Sequence, residues 1–232
     1  MYYLCNCIDK FVEGRDGIMK KSEVLTQLRT QGVVAVIRGN SLQEGVQISE
    51  ACIQGGLKSI EMAYTNANAS EIIKQLTEKY KNDPEVCIGA GTVLDAPTAR
   101  LAILSGANYI VSPSFDYETA ILCNRYGVPY IPGCMTIKEI VTAMEAGSEM
   151  IKLFPGSAFG PDYIGAIRSP LPHVSIMVTG GVKLDNLDQW FNAGVDAIGV
   201  GGELNTLGSQ GQFDEITRIA SEYVSKTKGA KK

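Results

Sequence analysis

The sequence predicts an α/β fold, a (β/α)8 TIM barrel with an N-terminal helix, from two observations. A short apolar and β-branched run, a polar loop and an amphipathic stretch recur in this order eight times. The runs begin about 20 to 28 residues apart, which fits a strand and a helix joined by short loops. Most amphipathic stretches end at a glycine just before the next run, where a left-handed C-terminal cap is needed. A doubly wound open sheet also alternates strands with helices, but no G-x-G-x-x-G follows the first run, and this favours the barrel.

The predicted elements follow one another along a single catalytic domain, residues 19–232. Ser22 is placed as an N-cap ahead of an apolar helical pattern, so a helix is expected before the first strand. The eight predicted strands are 33–37, 59–63, 86–90, 109–112, 128–131, 150–154, 174–178 and 197–200. Met19 and the two lysines after it look like a second translation start. We therefore interpret residues 1–18 as an N-terminal extension and expect this segment to be poorly ordered.

Composition and charge argue against several classes of protein. No apolar run approaches the roughly 20 residues that cross a bilayer, and residues 1–18 lack the cationic start and apolar stretch of a secretory signal. A cytoplasmic protein without a membrane partner is therefore expected. The 21 basic and 25 acidic residues give a net charge of -4 with no basic block, so nucleic acid is not an expected partner.

The cysteines and the single histidine narrow the chemistry further. The six cysteines are interpreted as reduced residues, because Cys52, Cys87 and Cys123 lie inside periodic apolar segments. Cys5 and Cys7 could hold a metal only if further ligands approached, and we do not expect one there. One histidine is too few for a three-histidine zinc site. This residue, His173, precedes the seventh run and so falls at the far end of the barrel, without a catalytic role.

Two charged residues interrupt apolar runs at the C-terminal ends of strands, where barrel enzymes keep their functional groups. Lys152 lies near the end of the sixth run, and burial there favours the neutral amine, which is a nucleophile for carbonyl groups. A lysine that snorkels or pairs with a carboxylate is the structural alternative. Glu61 lies at the corresponding place on the second run, either as a structural partner of Lys152 or as an acid/base group. Both interpretations put the two residues close together.

Candidate anion-binding residues lie at neighbouring strand ends. Arg38 ends the first run, where it could bind a carboxylate or phosphate in a forked geometry, or lie on the surface. The third run closes with Gly89, Gly91 and Thr92, in which the glycines let a ligand approach the backbone and the hydroxyl could hold it. Glycine clusters close the last two runs, at Gly180, Gly181, Gly201 and Gly202. Tight turns would also explain these clusters, but loops after strands seven and eight commonly bind phosphate, and we favour phosphate.

A set of short motifs occurs in a specific order and spacing from about Met19 to the end of the eighth unit. They are Val-Ala-Val-Ile-Arg at 34–38, Ile-Glu at 60–61, Gly-Ala-Gly-Thr-Val at 89–93, Val-Ser-Pro at 111–113, Ile-Pro-Gly at 131–133, Ile-Lys-Leu-Phe-Pro at 151–155, Thr-Gly-Gly-Val at 179–182 and Gly-Val-Gly at 199–201. Together they resemble the 2-keto-3-deoxy-6-phosphogluconate (KDPG) and 4-hydroxy-2-oxoglutarate (KHG) aldolases. This is a class I family of (β/α)8 barrels that act on small keto acids.

The resemblance implies a role for each candidate residue. Lys152 would form a Schiff base with the substrate, and Glu61 would handle protons. Arg38 and Thr92 would bind the carboxylate end of the substrate, and Pro113 and Phe154 would shape the pocket. The phosphate would be held by glycines, namely Gly180, Gly181, Gly201 and Gly202. Members of the family are usually homotrimers, so a homotrimer is expected here.

Two positions depart from the family pattern. Some members carry an arginine four residues after the glutamate, whereas this chain has Thr65, which leaves Arg38 as the expected anion anchor. Other members place a serine after the final glycines, whereas Glu203 follows Gly202 here. Glu203 could point into the loop and repel phosphate, or it could be the first-turn acid of the following short helix, where its charge is favourable. We expect the second arrangement.

The implied reaction is cleavage of KDPG to pyruvate and D-glyceraldehyde 3-phosphate, or of 4-hydroxy-2-oxoglutarate to pyruvate and glyoxylate. No cofactor and no metal are expected, because the imine on Lys152 supplies the electron sink. Two rival hypotheses stand beside this one. A phosphosugar isomerase or epimerase would use Glu61 as a base without a covalent intermediate, and a non-catalytic barrel would bind a phospho-ligand and keep Glu61 and Lys152 as a structural pair.

Overall fold

Eight parallel strands close into a barrel in the computed structural model, which describes residues 19–231. The strands are β1 (Val33–Ile37), β2 (Ser59–Ala63), β3 (Cys87–Gly91), β4 (Ile110–Val111), β5 (Tyr130–Ile131), β6 (Met150–Leu153), β7 (Ser175–Thr179) and β8 (Ala197–Val200). The predicted (β/α)8 barrel is thus confirmed. The extension predicted at 1–18, with Cys5 and Cys7, lies outside the described residues, as does residue 232.

Helices alternate with the strands and surround them. They are α1 (Lys21–Gln31), α2 (Leu42–Gln54), α3 (Ala69–Lys79), α4 (Ala96–Leu104), α5 (Tyr117–Tyr126), α6 (Ile137–Glu145), α7 (Asp162–Arg168), α8 (Leu187–Ala193), α9 (Gly202–Ser209) and α10 (Phe213–Ala230). The predicted N-terminal helix is present as α1, but the N-cap predicted at Ser22 is wrong. Glu23 accepts a hydrogen bond from the Lys20 N–H at 2.8 Å, so the helix already begins at Lys21. No helix between residues 19 and 231 is both long enough and apolar enough to cross a membrane.

The barrel is joined into a ring at a seam between β5 and β6. The ladder runs in the order β5-β4-β3-β2-β1-β8-β7-β6, and a single bridge between Gly133 and Lys152 links its two ends. The Lys152 N–H donates to the Pro132 carbonyl at 2.8 Å, and the Lys152 carbonyl accepts from the Cys134 N–H at 2.9 Å. Strand β5 is shorter than predicted because Pro129 and Pro132 flank it and cannot donate to the ladder.

Alternate residues of each strand face the barrel interior, and helix α1 closes the N-terminal end of that interior. An apolar cluster forms where α1 meets the strands, and it contains Val24, Leu25, Leu28, Val34, Cys87, Tyr109, Val111, Ile131, Met150, Met177 and Ala197. The apolar strand residues that alternate with these, such as Ile37, Ile88 and Ile176, pack outward against the helices. Cys52, Cys87 and Cys123 are buried with free thiols, as predicted. Burial raises the pKa of the Cys52 and Cys123 thiols to about 12, which keeps them protonated and unreactive.

Candidate active site

A cavity of about 1060 Å³ opens at the C-terminal ends of the strands. All ten residues that the sequence predicted for the site line it, namely Arg38, Glu61, Thr92, Pro113, Lys152, Phe154, Gly180, Gly181, Gly201 and Gly202. His173 is exposed ahead of β7, at the opposite end of the strand, as the sequence predicted. The fold therefore collects groups from seven strand ends or the loops after them into one space, as barrel enzymes do.

Lys152 and Glu61 form a buried ion pair at the floor of the cavity. Lys152 lies on β6 and is 6% exposed, whereas Glu61 lies on β2 and is fully buried. The Lys152 Nζ lies 3.3 Å from Glu61 Oε1 and 5.3 Å from the centre of the Phe154 ring. The other carboxylate oxygen, Glu61 Oε2, is buried without a hydrogen-bond partner among the described residues. A pair that served structure alone would satisfy both oxygens, so this oxygen indicates a place for a ligand or water.

Two glycines on β3 make room for the side chains that support this pair. A Cβ atom at Gly91 would collide with the Glu61 carboxylate, and one at Gly89 would collide with the Tyr109 ring. The Tyr109 hydroxyl in turn donates to the Ile60 carbonyl at 2.8 Å, next to Glu61. The prediction that these glycines admit a ligand was therefore wrong, because protein side chains already fill the space beside them.

Thr92 follows β3 in an uncommon backbone conformation at the edge of the cavity. Its φ of 56° lies in the left-handed region. A β-branched side chain rarely adopts this region because its Cβ crowds the backbone. Such strain persists where the surrounding structure fixes a residue for a purpose, and here the strained residue lines the cavity beside Pro113.

Arg38 is an exposed cation at the rim, immediately after β1. Its guanidinium has no ion pair or hydrogen bond with another group among residues 19–231, so its forked donors are available to a ligand. Thr65, which stands where some members of the resembling family carry an arginine, also lines the cavity. Its short neutral side chain leaves the cationic role on this side to Arg38.

The part of the cavity that follows β7 and β8, next to the end of β1, is built from glycines and a helix N-terminus. Gly180 and Gly181 have φ values of 86° and 84°, so the turn after β7 itself requires glycine. Gly202 begins α9, and Gly201 before it supplies no side-chain cap. The first N–H groups of this helix lack intrahelical partners and carry the positive end of its dipole, which makes this turn suited to an anion.

Glu203 lies in the first turn of α9, as the sequence predicted, and its side chain is exposed. Its charge acts on helix α10, because burial and then the nearby Glu203 raise the pKa of the Tyr223 phenol to about 12. Glu203 also borders the cavity, near Gly202. Its position therefore combines a favourable helix-dipole interaction with proximity to the anion-binding turn.

Sequence reasoning missed three polar residues of this end of the barrel. Thr179, on β7, is 3% exposed, lines the cavity and has a buried hydroxyl without a partner among the described residues. Asn205 and Asn66 bind backbone atoms of the loop after β1. In the sequence, Thr179 was noted only as part of the Thr-Gly-Gly-Val motif at 179–182. The asparagines gave no signal, because Asn205 contacts a residue 167 positions away in the chain.

Comparisons with known proteins agree with this geometry. A family model for KDPG and KHG aldolase matches residues 24–219. The 2-dehydro-3-deoxy-6-phosphogalactonate aldolase of Escherichia coli (strain K12) is 34% identical over 177 residues, which cover 76% of this chain and 85% of that protein. The 2-dehydro-3-deoxy-phosphogluconate aldolase of Treponema pallidum (strain Nichols) is 29% identical over 204 residues, covering 86% and 94%.

One solved structure shows the chemistry of a relative directly. The KDPG aldolase of Legionella pneumophila, with pyruvate captured as a covalent carbinolamine intermediate, is similar with a TM-score of 0.76 and 25% identity, covering 82% of this chain and 92% of that chain. The family model spans most of this chain, and the motifs it shares with the family meet in one cavity. The chain accordingly belongs to the KDPG and KHG aldolase family.

Proposed function

We propose that this aldolase cleaves KDPG to pyruvate and D-glyceraldehyde 3-phosphate through a Schiff base on Lys152. The observation that carries the proposal is the buried pair of Lys152 and Glu61, with Nζ and Oε1 3.3 Å apart and Oε2 without a hydrogen-bond partner in the part of the chain that the structure describes. An amine buried among apolar strand residues is a suitable nucleophile for a ketone. A carboxylate beside it is placed to move protons during the same reaction.

The steps use only these two side chains and water. Glu61 takes a proton from the Lys152 ammonium, and the neutral amine attacks the C2 ketone to give a carbinolamine. Glu61 returns that proton to the carbinolamine hydroxyl, which leaves as water, so a protonated imine and the Glu61 carboxylate remain. The carboxylate removes the proton of the C4 hydroxyl, directly or through a water, and the C3–C4 bond breaks with its electrons moving into the imine. The aldehyde leaves, Glu61 passes its proton to C3 of the resulting enamine, and hydrolysis of the imine releases pyruvate. Because the imine is the electron sink, activity should survive a metal chelator.

The cavity contains two sets of candidate anion-binding groups, which suits a substrate charged at both ends. Arg38 and Thr92, which follow β1 and β3, would hold the carboxylate next to the reacting ketone. The N-terminus of α9, with Gly201 and Gly202 after β8, would hold the phosphate. In this arrangement 4-hydroxy-2-oxoglutarate would be a second substrate, because it reaches Lys152 without using the phosphate region.

A second candidate substrate is 2-keto-3-deoxy-6-phosphogalactonate, the epimer of KDPG at C4. The 34% identity to the E. coli phosphogalactonate aldolase favours it. Both epimers would give the same products and differ only in where the C4 hydroxyl points. Measuring kcat/KM for the two epimers and for 4-hydroxy-2-oxoglutarate ranks the candidates, and a tenfold preference corresponds to about 1.4 kcal/mol in the transition state.

The test of the mechanism is reductive trapping. Pyruvate followed by borohydride should add one three-carbon unit to Lys152 and abolish activity, as shown by mass spectrometry of peptides. Labelling at Lys58 or Lys183 instead would contradict the assignment. Absence of any adduct in an active enzyme would favour the isomerase or epimerase, which uses Glu61 as a base without a covalent intermediate.

We also propose that the chain assembles as a homotrimer. In the described residues, large apolar side chains that remain exposed cluster between residues 94 and 135, on α4, α5 and the loops beside them. They are Leu94, Leu101, Leu104, Tyr117, Tyr126 and Met135. A continuous exposed apolar surface usually marks a protein interface. Sedimentation velocity should give the mass of three chains, and Leu104→Glu should shift the protein towards monomer.

A further inference from the structure

We propose that Asn205 and Asn66 are positioning residues that fix Arg38 for recognition of the substrate carboxylate. The inference rests on the proposed function, in which Arg38 is the carboxylate anchor. Arg38 lies at the start of the loop that joins β1 to α2, and a long exposed side chain on a loop is costly to order. The two asparagines hold the backbone of this loop from opposite sides.

Asn205 binds the β1 side of the loop as a peptide group would. Its Nδ2 donates to the Val36 carbonyl at 2.9 Å, while its Oδ1 accepts from the Arg38 N–H at 2.7 Å. A residue on a neighbouring parallel strand makes the same pair of hydrogen bonds, to the carbonyl of one residue and the N–H two residues later. Strand β8 ends at Val200, so the Asn205 side chain continues the ladder of β1 where the backbone of β8 has turned away.

Other contacts fix the orientation of the Asn205 amide. Its Nδ2 also donates to the Gly201 carbonyl at 2.6 Å, and its Oδ1 lies 3.4 Å from the Gly39 nitrogen. The turn at Gly201 approaches β1 so closely that a Cβ atom there would collide with the Val36 carbonyl. The Asn205 amide therefore links three parts of the site: the end of β1, the turn after β8 and the first turns of α9.

Asn66 holds the same loop from the β2 side. It is 6% exposed, and its Nδ2 donates to the Arg38 carbonyl at 2.7 Å and lies 3.3 Å from the carbonyls of Gly39 and Ser41. Its Oδ1 accepts from the Asn68 N–H at 2.8 Å, which sets the direction of the amide. Both backbone polar groups of Arg38 are thus bound to buried or half-buried amides, one from the loop after β2 and one from α9.

These two attachments reduce the conformational entropy that the Arg38 loop loses when the substrate binds. With the backbone of Arg38 fixed, only the side-chain torsions of the arginine remain to be restricted when a carboxylate arrives. Loss of either asparagine should therefore weaken carboxylate binding and leave the bond-making groups Lys152 and Glu61 in place. The effect should depend on the presence of the Arg38 side chain.

A double-mutant cycle tests this dependence. The measurement is borohydride trapping of pyruvate on Lys152, which gives a half-saturating pyruvate concentration and a maximal rate. We expect Asn205→Ala to raise the half-saturating concentration about tenfold, comparable to the loss of a buried hydrogen-bonded group, with the maximal rate nearly unchanged. In an Arg38→Ala background, Asn205→Ala should add no further change.

Asn66→Ala provides a second, independent variant, since it contacts the loop from the other side, and it keeps the test valid if Asn205→Ala does not fold. Asn124→Ala is the matched control, because its amide also binds a backbone carbonyl, that of Ala146 at 2.8 Å, but at the other end of the barrel. Equal effects of the asparagine variants with and without Arg38, or a loss of maximal rate at unchanged half-saturation, would overturn the inference. Absence of labelling on Lys152 in the unmodified enzyme would instead overturn the proposed function.

Discussion

The two ends of the barrel interior are lined by the same strands but differ in chemistry. At the N-terminal end, helix α1 packs Leu25 and Leu28 against strand residues such as Met150. Two positions further along β6, on the same face, Lys152 enters the open cavity opposite Glu61. Side chains with the same direction on one strand thus serve the apolar core at one end and the site at the other.

Helix α1 covers the N-terminal end of the barrel interior, whereas the C-terminal end stays open as the cavity. Burial of apolar side chains under α1 supplies stability. Glu61 and Thr179 line the cavity, and each has a buried oxygen, Oε2 and Oγ1, without a hydrogen-bond partner among the described residues, which costs free energy in a protein without ligand. Substitutions at the closed end should therefore act on stability alone, whereas substitutions at the open end should also change activity.

Lys152→Met should have the largest effect on activity. Without the amine no imine forms, so kcat/KM should fall by at least about a thousandfold. The melting temperature should fall too, because removing one member of a buried ion pair leaves the Glu61 carboxylate uncompensated. Lys58→Met is the control, since Lys58 pairs with Asp83 and Glu85 away from the cavity. A large loss of activity in the control would contradict this expectation.

Leu28→Ala should give the converse result at the closed end. Leu28 is fully buried under the barrel, and its truncation should lower the free energy of unfolding by about 2 to 5 kcal/mol through lost contacts and a cavity. The kcat/KM of the folded fraction should remain unchanged. Denaturant unfolding with activity measured at low temperature tests both statements, and a parallel fall in kcat/KM would show that the two ends are coupled.

Thr92→Gly and Thr92→Ala form a matched pair that isolates strain at the open end. Both variants lack the hydroxyl, so both should lose the same share of activity. Only glycine takes the φ of 56° without a Cβ clash, so the glycine variant should be the more stable of the two by about 1 kcal/mol. Equal melting temperatures would show that the backbone at this position is not strained.

Glu203→Ser should have the smallest effect. Because Glu203 lies in the first turn of α9 and acts on Tyr223, its removal should change kcat/KM for the phosphorylated substrate by less than tenfold, or about 1.4 kcal/mol. The unphosphorylated 4-hydroxy-2-oxoglutarate serves as the control substrate. An improvement of tenfold or more confined to the phosphorylated substrate would show that Glu203 faces the phosphate.

The strands and the central pair could be predicted because their signals are local. Three predicted strands, β1, β2 and β8, have the observed bounds, since short apolar runs and the glycines that precede them define them. Lys152 and Glu61 stood out because a charged side chain in an apolar strand is costly to bury unless it has a partner. The strand bounds and the two charged residues are both recognised from adjacent positions, so one sequence is enough to find them.

The features that could not be predicted from the sequence depend on contacts between distant segments. From the sequence, Gly91 was predicted to let a ligand approach the backbone, yet the space beside it is filled by Glu61 from another strand. Asn205 is an ordinary polar residue of a short helix until β1 is placed beside it. In each case the deciding partner lies in another unit of the barrel.

The seam between β5 and β6 has a consequence for how the enzyme gains its activity during folding. The bridge that closes the ring is made by the backbone of Lys152 itself, through Pro132 and Cys134. The Schiff-base lysine of the proposed mechanism is thus held in place by the same hydrogen bonds that join β5 to β6, while its partner Glu61 comes from a strand 91 positions earlier. The pairing of Lys152 with Glu61 is therefore a long-range contact, and contacts of this kind form slowly in folding chains. Partly folded chains in which β2 and β6 do not yet share one barrel lack this pair, so the return of aldolase activity on refolding reports barrel assembly rather than helix formation.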